Sequence, residues 1–190
     1  MNIHPVTKSR WEDLVQLFQA HGNPNYCWCM TWRMPGRAFR NCSSQNRQKA
    51  LKQNVQDNIP IGLIGYIQKK PIGWCSIAPR ETYARLERSR TIPRIDDKNT
   101  WAITCFFISP EYQQKGMSLK LLKEAVNYAC SKGAEVVEGY PVKPKEVDGK
   151  INYKVSYRFM GYLSTFRKAG FKDMTPQNNQ RKIMRYHCTD

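Results

Sequence analysis

Six residues, Gln113-Gln114-Lys115-Gly116-Met117-Ser118, stand between an apolar, β-branched run and a long amphipathic stretch. A turn feeding a helix N-terminus leaves several backbone N–H groups without helical partners. Those groups point outward, and the helix dipole adds partial positive charge beside them. Gly116 removes a side chain where an anion must come close, and Lys115, Lys120 and Lys123 add charge at the same end. That is the chemistry of holding a phosphate. An ordinary strand-to-helix turn carrying Gly and Lys is the plainer alternative, and this segment alone does not separate the two.

Other residue groups invite chemistry too. Glu138 is the only carboxylate inside a predicted central strand. A carboxylate there is costly unless paired, solvated or functional. It either forms a salt bridge to Lys or Arg, or orders a water that takes a proton. Glu111 reads as a solvated turn residue. Cys105 lies in the apolar run with no His near it in any motif, so it reads as a small core residue and not a nucleophile. The stretch Asn25 to Arg33 packs Tyr26, Trp28, Trp32, two thiols and Arg33 into nine residues. It is either a ligand-contacting wall or a plug on the core. No metal site is expected. The seven cysteines include no CxxC, Cys27 and Cys29 form a CxC with Cys42 thirteen residues on, and His4, His21 and His187 are scattered. Seven free thiols, mostly in apolar runs, fit a reducing compartment.

The elements that must position these groups follow from patterning. Ser9 and Glu12 fit a capping box opening a helix with Trp11, Leu14, Val15 and Phe18 on one face and Gly22 as its stop. A second helix is expected from Ser44 to Asp57. Leu63–Ile67, a turn at Gln68-Lys69-Lys70 and Pro71–Ile77 form a hairpin. Pro79 opens a short charged helix to about Arg90, an insertion or lid. Trp101–Ile108 reads as a buried strand, ended by Ser109-Pro110. Leu121, Leu122, Ala125, Val126 and Ala129 stripe the helix after the six-residue turn, and Gly133 stops it. Glu135–Tyr140 is a strand, and Val142 to Ser156 a polar loop. A helix places Phe159, Tyr162, Leu163 and Phe166 at helical spacing and ends at Gly170. Phe171–Met174 and Lys182–Tyr186 close the order as strands. The order α, α, β, β, α, β, α, β, α, β, β suggests an α/β mixed sheet with helices on both faces.

The whole chain bounds the answer. Its 190 residues fit one domain, residues 1–190, and 41% apolar with 24% charged residues is a globular balance. A net charge of +16 fits an anionic partner and argues against a polycationic substrate. The basic residues are spread along the chain without a nucleic-acid motif, so a nucleic-acid partner is not the favoured reading. No apolar run approaches the ~20 residues of a membrane helix. Residues Met1 to Leu14 lack the hydrophobic core of a signal peptide, so a cytoplasmic location is expected.

From Trp101 on, the chain resembles the GNAT superfamily of acetyl-CoA-dependent N-acetyltransferases. The family's strand ending in x-Pro, then [Gln/Arg]-x-x-Gly-x-[Gly/Ala], then a helix, is matched by Phe106-Phe107-Ile108-Ser109-Pro110 and Gln113 to Ser118. A strand followed by a helix ending aromatic-x-x-x-Gly-Phe is matched by Glu135–Tyr140 and Phe166-Arg167-Lys168-Ala169-Gly170-Phe171. The hairpin from Leu63 to Ile77 looks like the family's central hairpin. The resemblance is strong over about 62–186, while the first sixty residues match only in layout.

The resemblance implies the GNAT fold and an acetyl-CoA-dependent transferase. The backbone of Phe106, Phe107 and Ile108 would bond the pantetheine arm. The N–H groups of Gln113, Gln114, Lys115, Gly116, Met117 and Ser118 would hold the pyrophosphate. A strand N–H would polarise the thioester carbonyl, and a deprotonated amine would attack directly. Ser118 replaces the usual Gly or Ala but is small and can itself donate to phosphate. Phe166 stands where many members carry the Tyr that protonates the leaving thiolate. Tyr162, one turn earlier, is the candidate acid, with a pocket-lining or core aromatic as the alternative, and Glu138 is the candidate base. The acceptor pocket would draw on Tyr26, Trp28, Trp32 and Arg33. The acceptor is expected to be a small amine. A protein amine, a nucleic-acid-binding module and a CoA-binding regulator stay open, as does a homodimer.

Overall fold

In the computed structural model, residues 1–20, 23–147, 150–152 and 157–188 are described. The strands are β1 (Asn2–Pro5), β2 (Leu63–Ile67), β3 (Lys70–Pro79), β4 (Thr100–Ile108), β5 (Val136–Gly139), β6 (Lys145–Val147), β7 (Lys150–Asn152), β8 (Lys172–Asp173) and β9 (Met184–His187). The α-helices are α1 (Trp11–Gln19), α2 (Asn23–Cys27), α3 (Gly36–Asn41), α4 (Ser44–Gln56), α5 (Ala84–Glu87), α6 (Met117–Ser131) and α7 (Leu163–Lys168). Among the described residues, seven strands form one sheet in the order β1-β2-β3-β4-β5-β9-β8, and β6 pairs with β7 separately. Only β4 and β5 run parallel; the other pairs are antiparallel.

Alternation along the central strands sends side chains to two faces. Cys75 and Ile77 of β3 and Trp101 and Ile103 of β4 pack under α6 and α7. All five residues of the expected apolar stripe on α6 are buried there. On the opposite face Trp74 packs with Leu14, Phe18 and Trp28. Farther along that face Ala78 and Ala102 pack with Trp32, Tyr83 and Tyr140. The sheet is thus covered on both sides, as the alternating pattern of elements requires.

Several local expectations are corrected. No capping box forms: Lys8–Arg10 is a 3-10 turn, α1 begins at Trp11, and the Ser9 hydroxyl bonds the Thr7 hydroxyl. β1 was missing from the sequence reading, because Asn2–Pro5 is an edge strand too short and polar to show alternation. The expected helix through Phe159 to Phe166 is broken. Arg158–Met160 is a 3-10 turn, Tyr162 has extended backbone at φ −106°, and α7 starts at Leu163. Gly161, at φ 86°, makes the break. The expected lid after Pro79 is anchored in the protein: Arg80, Tyr83 and Leu86 are buried. The expected loop from Val142 to Ser156 contains the antiparallel pair β6 and β7, while its positions 148–149 and 153–156, and Gly22, the expected stop of the first helix, lie outside the described residues.

The reading of seven free thiols is also corrected. Cys130 at the end of α6 and Cys188 just beyond β9 form a disulfide, with Cα atoms 5.5 Å apart. The backbone brings them together, because the Cys188 N–H donates to the Glu135 carbonyl at the start of β5. A disulfide is unusual in a reducing compartment, so cysteine usage no longer supports one. Among the described residues, no helix is long and apolar enough to cross a membrane.

Candidate functional site

The turn between β4 and α6 joins a strand end to a helix N-terminus. Pro110–Tyr112 makes a 3-10 turn, and Gln113 is extended. Gln114 and Gly116 then enter the left-handed region at φ 59° and φ 72°. Gly116 is the N-cap of α6, and the first helical bond runs from the Lys120 N–H to the Gly116 carbonyl. The N–H groups of Met117, Ser118 and Leu119 therefore lack partners within the helix. A Cβ on Gly116 would meet no atom within 4 Å, so the space above this turn is open. Lys115 is tied back, its Nζ donating to the Glu111 carbonyl at 2.9 Å. Gln113 is tied twice, its Nε2 donating to the Ile108 carbonyl and its backbone N–H to the Pro110 carbonyl, which removes that N–H from the expected phosphate donors. These bonds fix the turn. A diphosphate group fits that cradle in charge and in room.

β4 carries the second part of the site. It pairs with β5 only from Thr100 to Ile103, opposite Val136 to Gly139. Beyond Ile103 that ladder ends, while the other edge of β4 stays paired to β3 through Ile108. At the same point the β3 ladder shifts: Ser76 faces Cys105, Ile77 faces Ile103, and Thr104 is the extra residue. A bulge re-aims the backbone where the two parallel strands part. Phe106, Phe107 and Ile108 follow it, half-buried, and the Phe106 ring stands edge-on to Phe166 at 6.1 Å. An extended arm carrying amide groups can add along a strand edge as a further strand would.

The two candidate proton-transfer residues fare differently. Glu138 is fully buried, and both its oxygens are held. Oε2 accepts from Arg80 Nη1 at 2.9 Å and from the Tyr140 hydroxyl at 2.7 Å, and Oε1 accepts from Arg185 Nε at 2.7 Å. Arg185 also pairs with Asp96, and Arg80 with Glu87, which reaches on to Arg94. Three arginines thus face three carboxylates. The salt-bridge reading of Glu138 accounts for its burial, and the role of ordering a water for the acceptor amine finds no support in its contacts. Tyr162 is half-exposed where Val142, just past β5, makes a parallel bridge to it. It caps α7 and does not sit one turn back on the face of Phe166, since Gly161 breaks the chain before it. Phe166 itself is core, wedged against Gly139, Gly161, Phe106 and Phe171.

The expected acceptor wall divides. Trp28 is buried, its indole N–H donating to the Ser44 hydroxyl and its ring against Trp11 and Phe18, so it is a plug. Arg33 is buried too. It donates to the Ile61 carbonyl and the Tyr83 hydroxyl, and Tyr83 bonds Ser76, which accepts from Thr104 at the bulge. Both Trp28 and Arg33 are thereby removed from the expected ligand wall: the Trp28 indole N–H and both Arg33 Nη groups are used inside the protein. Tyr26 lies 64% exposed against Arg47 and Phe39. Trp32 alone of the four lines a cavity, of 270 Å³, together with Arg85, Arg88, Tyr157 and Arg181. Those partners come from three separated segments and no local motif joins them, so the sequence reading missed them.

The thiols near β4 are quiet. Cys29 Sγ lies 3.4 Å from Cys105 Sγ and accepts from the Trp74 indole. Hydrogen bonding to Cys29, then burial, pushes the Cys27 thiol far up. The contact with Cys105, with burial, does the same to Cys29, and burial does so to Cys75. None of these three is poised as a thiolate nucleophile. Among the described residues no group of three or more His, Cys, Asp or Glu is placed to hold a metal.

Comparison with known proteins agrees with this geometry. A family model, the acetyltransferase (GNAT) family, matches residues 12–142. Solved structures share the fold at low identity. The PaiA N-acetyltransferase of Thermoplasma acidophilum, in complex with coenzyme A, is 17% identical with a TM-score of 0.52, covering 98% of each chain. YncA, a putative acetyltransferase of Salmonella typhimurium with its cofactor acetyl-CoA, is 14% identical with a TM-score of 0.53, covering 100% of this chain and 95% of that one. A ribosomal-protein-alanine N-acetyltransferase of Brucella melitensis is 14% identical with a TM-score of 0.52, covering 98% and 99%. No curated protein matches the chain. The phosphate-ready turn, the parted strands and the family match lead to one conclusion: the chain belongs to the GNAT family and is an acetyl-CoA-dependent acyltransferase.

Proposed function

We propose that the chain moves an acetyl group from acetyl-CoA to the primary amine of a small molecule by direct attack. The observation that carries this reading is the acceptor-side cavity. It is a partly open space of 270 Å³ walled by residues from four segments, Trp32 to Gly36, Arg85 to Thr91, Tyr157 and Arg181. Such a volume has room for roughly nine groups of water size.

The roles follow from the chain's own groups. The N–H groups from Gln114 to Leu119 receive the diphosphate, and Gly116 keeps the approach clear. The backbone of β4 at Phe106 to Ile108, beyond the end of its ladder with β5, aligns the pantetheine arm. Bound acetyl-CoA supplies an activated thioester. A backbone N–H at the Thr104 bulge is the fixed donor for its carbonyl, placed before reaction and therefore without a reorganisation cost. Tyr162 is the proton donor that remains near the parted strands. A thiol with pKa near that of cysteine (~8.5) also leaves tolerably without an acid.

The test is thiol release from acetyl-CoA, followed with a thiol reagent, against a panel of small amines and lysine-containing peptides. Turnover with small amines and none with peptides is expected. Turnover confined to the peptides would overturn the choice of acceptor.

A further inference from the structure

We propose that the acceptor amine carries an anionic group, a carboxylate or a phosphate, which is held in the cavity between Trp32 and Tyr157 by Arg85, Arg88 and Arg181. The proposal rests on the acetyltransferase reading and names its substrate class.

Three independent observations converge on this cavity. The first is charge without partners. Arg85, Arg88 and Arg181 all line it, and among the described residues none of them is paired with a carboxylate. Glu87, next to Arg88 in sequence, is committed to Arg80 and Arg94. Three uncompensated guanidiniums around one space repel a cation and attract an anion.

The second is the way two of them are held. The Arg181 guanidinium lies over the Tyr157 ring at 3.8 Å, and that of Arg85 lies near the Trp32 ring at 5.5 Å. Stacking fixes the plane of a guanidinium and leaves N–H donors on its rim for a ligand. Apart from those rings, Arg85 makes one long bond to the Thr31 carbonyl at 3.4 Å, and Arg181 touches the Met160 sulfur at 3.8 Å. A planar fork with spare donors suits a carboxylate or a phosphate.

The third is an orphaned donor. Trp32 is 6% exposed, and its indole Nε1 is buried without a hydrogen-bond partner, although the residue lines the cavity. A buried indole N–H without an acceptor is costly, and an oxyanion in the cavity would satisfy it. Trp32 also packs with Ala102 of β4, on the sheet face opposite α6. That places Trp32 on the sheet face away from α6, beside the stretch of β4 that pairs with β5.

The test uses the full chain and four amines of similar size: β-alanine, phosphoethanolamine, the neutral β-alaninamide, and the dication putrescine. Acetyl-CoA binding is measured first by calorimetry. Where it binds, kcat/KM for one or both anionic amines is expected to exceed that for the amide at least about 10-fold, with putrescine poorest. The better of β-alanine and phosphoethanolamine tells carboxylate from phosphate. R88Q and R181Q should each raise KM for the anionic amine about 10-fold and lower kcat little, with melting temperatures showing that both variants fold. An amide or putrescine used as well as the anions would overturn the proposal and leave the transferase reading intact. Absent acetyl-CoA binding would count against the transferase reading instead. Calorimetry of the two anionic amines on the protein alone then decides the site. Binding weakened by both arginine variants upholds it, and no binding, or binding indifferent to them, overturns it.

Discussion

Gly139 and Phe166 fit so closely that a Cβ on Gly139 would lie 2.0 Å from the edge of the Phe166 ring. Gly139 is the last residue of β5, at the place where β5 and β4 part. The ring that fills this spot is the one standing where relatives carry a proton-donating Tyr. Here it closes the core under the parted strands and has no room to serve chemistry. G139A should therefore force the ring to move and cost about 1–3 kcal/mol or more. Urea unfolding would show it as a lower midpoint with an unchanged slope, and an unshifted midpoint would contradict the packing.

Glu138 offers a sharper contrast between structure and catalysis. Removing its charge leaves Arg80 and Arg185 facing each other in a buried site, with only Glu87 and Asp96 at their far ends. E138Q should destabilise the protein by about 3–5 kcal/mol. Its residual activity, measured at low temperature, should keep the pH profile of the wild type. Loss of the acidic limb from that profile without loss of stability would restore Glu138 as a base.

Acid stability should depend on the Asp173–Lys182 pair that ties β8 toward β9. Burial pushes the Asp173 carboxyl up, but Lys182 and the Thr175 hydroxyl and amide outweigh it and hold it at about 2. An unfolded Asp titrates near ~3.9. The folded value is the lower one, so this contribution is fully present above about pH 4 and is lost as pH falls toward 2. Arg185 likewise holds the Asp96 carboxyl down, adding to the loss in the acid range. D173N should flatten the fall in melting temperature over that window; an unchanged acid slope would refute the assignment.

The Cys130–Cys188 disulfide closes a loop of 58 residues that contains β5, α7 and β9. Chain-entropy arguments put the stabilisation of such a loop at about 4 kcal/mol as a ceiling. Reduction, or C130S, should lower the melting temperature in non-reducing buffer by several degrees. Equal melting with and without reductant, together with two extra titratable thiols in the untreated protein, would show the bridge is not formed.

What could be read from sequence divides along physical lines. The helix after the turn was legible because Leu121, Leu122, Ala125, Val126 and Ala129 repeat at helical spacing and all face the core. The hairpin was legible because two apolar runs flank a short polar turn, in which Gln68 and Lys69 adopt the left-handed region. The strand–turn–helix unit around Gly116 was legible because local backbone geometry alone makes it. By contrast, the cavity joins Trp32, Arg85, Tyr157 and Arg181 across more than a hundred residues of chain, and only the tertiary fold brings them together. The pairing of Glu138 with two arginines is long-range in the same way. The break at Gly161 was hidden because Phe159, Tyr162, Leu163 and Phe166 keep helical spacing although a glycine at φ 86° interrupts them. Buried contacts on both sides preserve the apolar pattern through the break.

The central claim is that the turn from Gln113 to Ser118 receives the diphosphate of acetyl-CoA, and calorimetry tests it most directly. The wild type should bind acetyl-CoA saturably. G116D should lose at least about 10-fold in affinity, since it places bulk and negative charge in the open space at the helix N-terminus. G116A separates this from backbone strain, which costs about 1 kcal/mol of stability at φ 72° and shows in the melting temperature. Saturable binding that fails in G116D is the predicted result. Equal affinity in the wild type and G116D, or no binding by the wild type, would contradict the account.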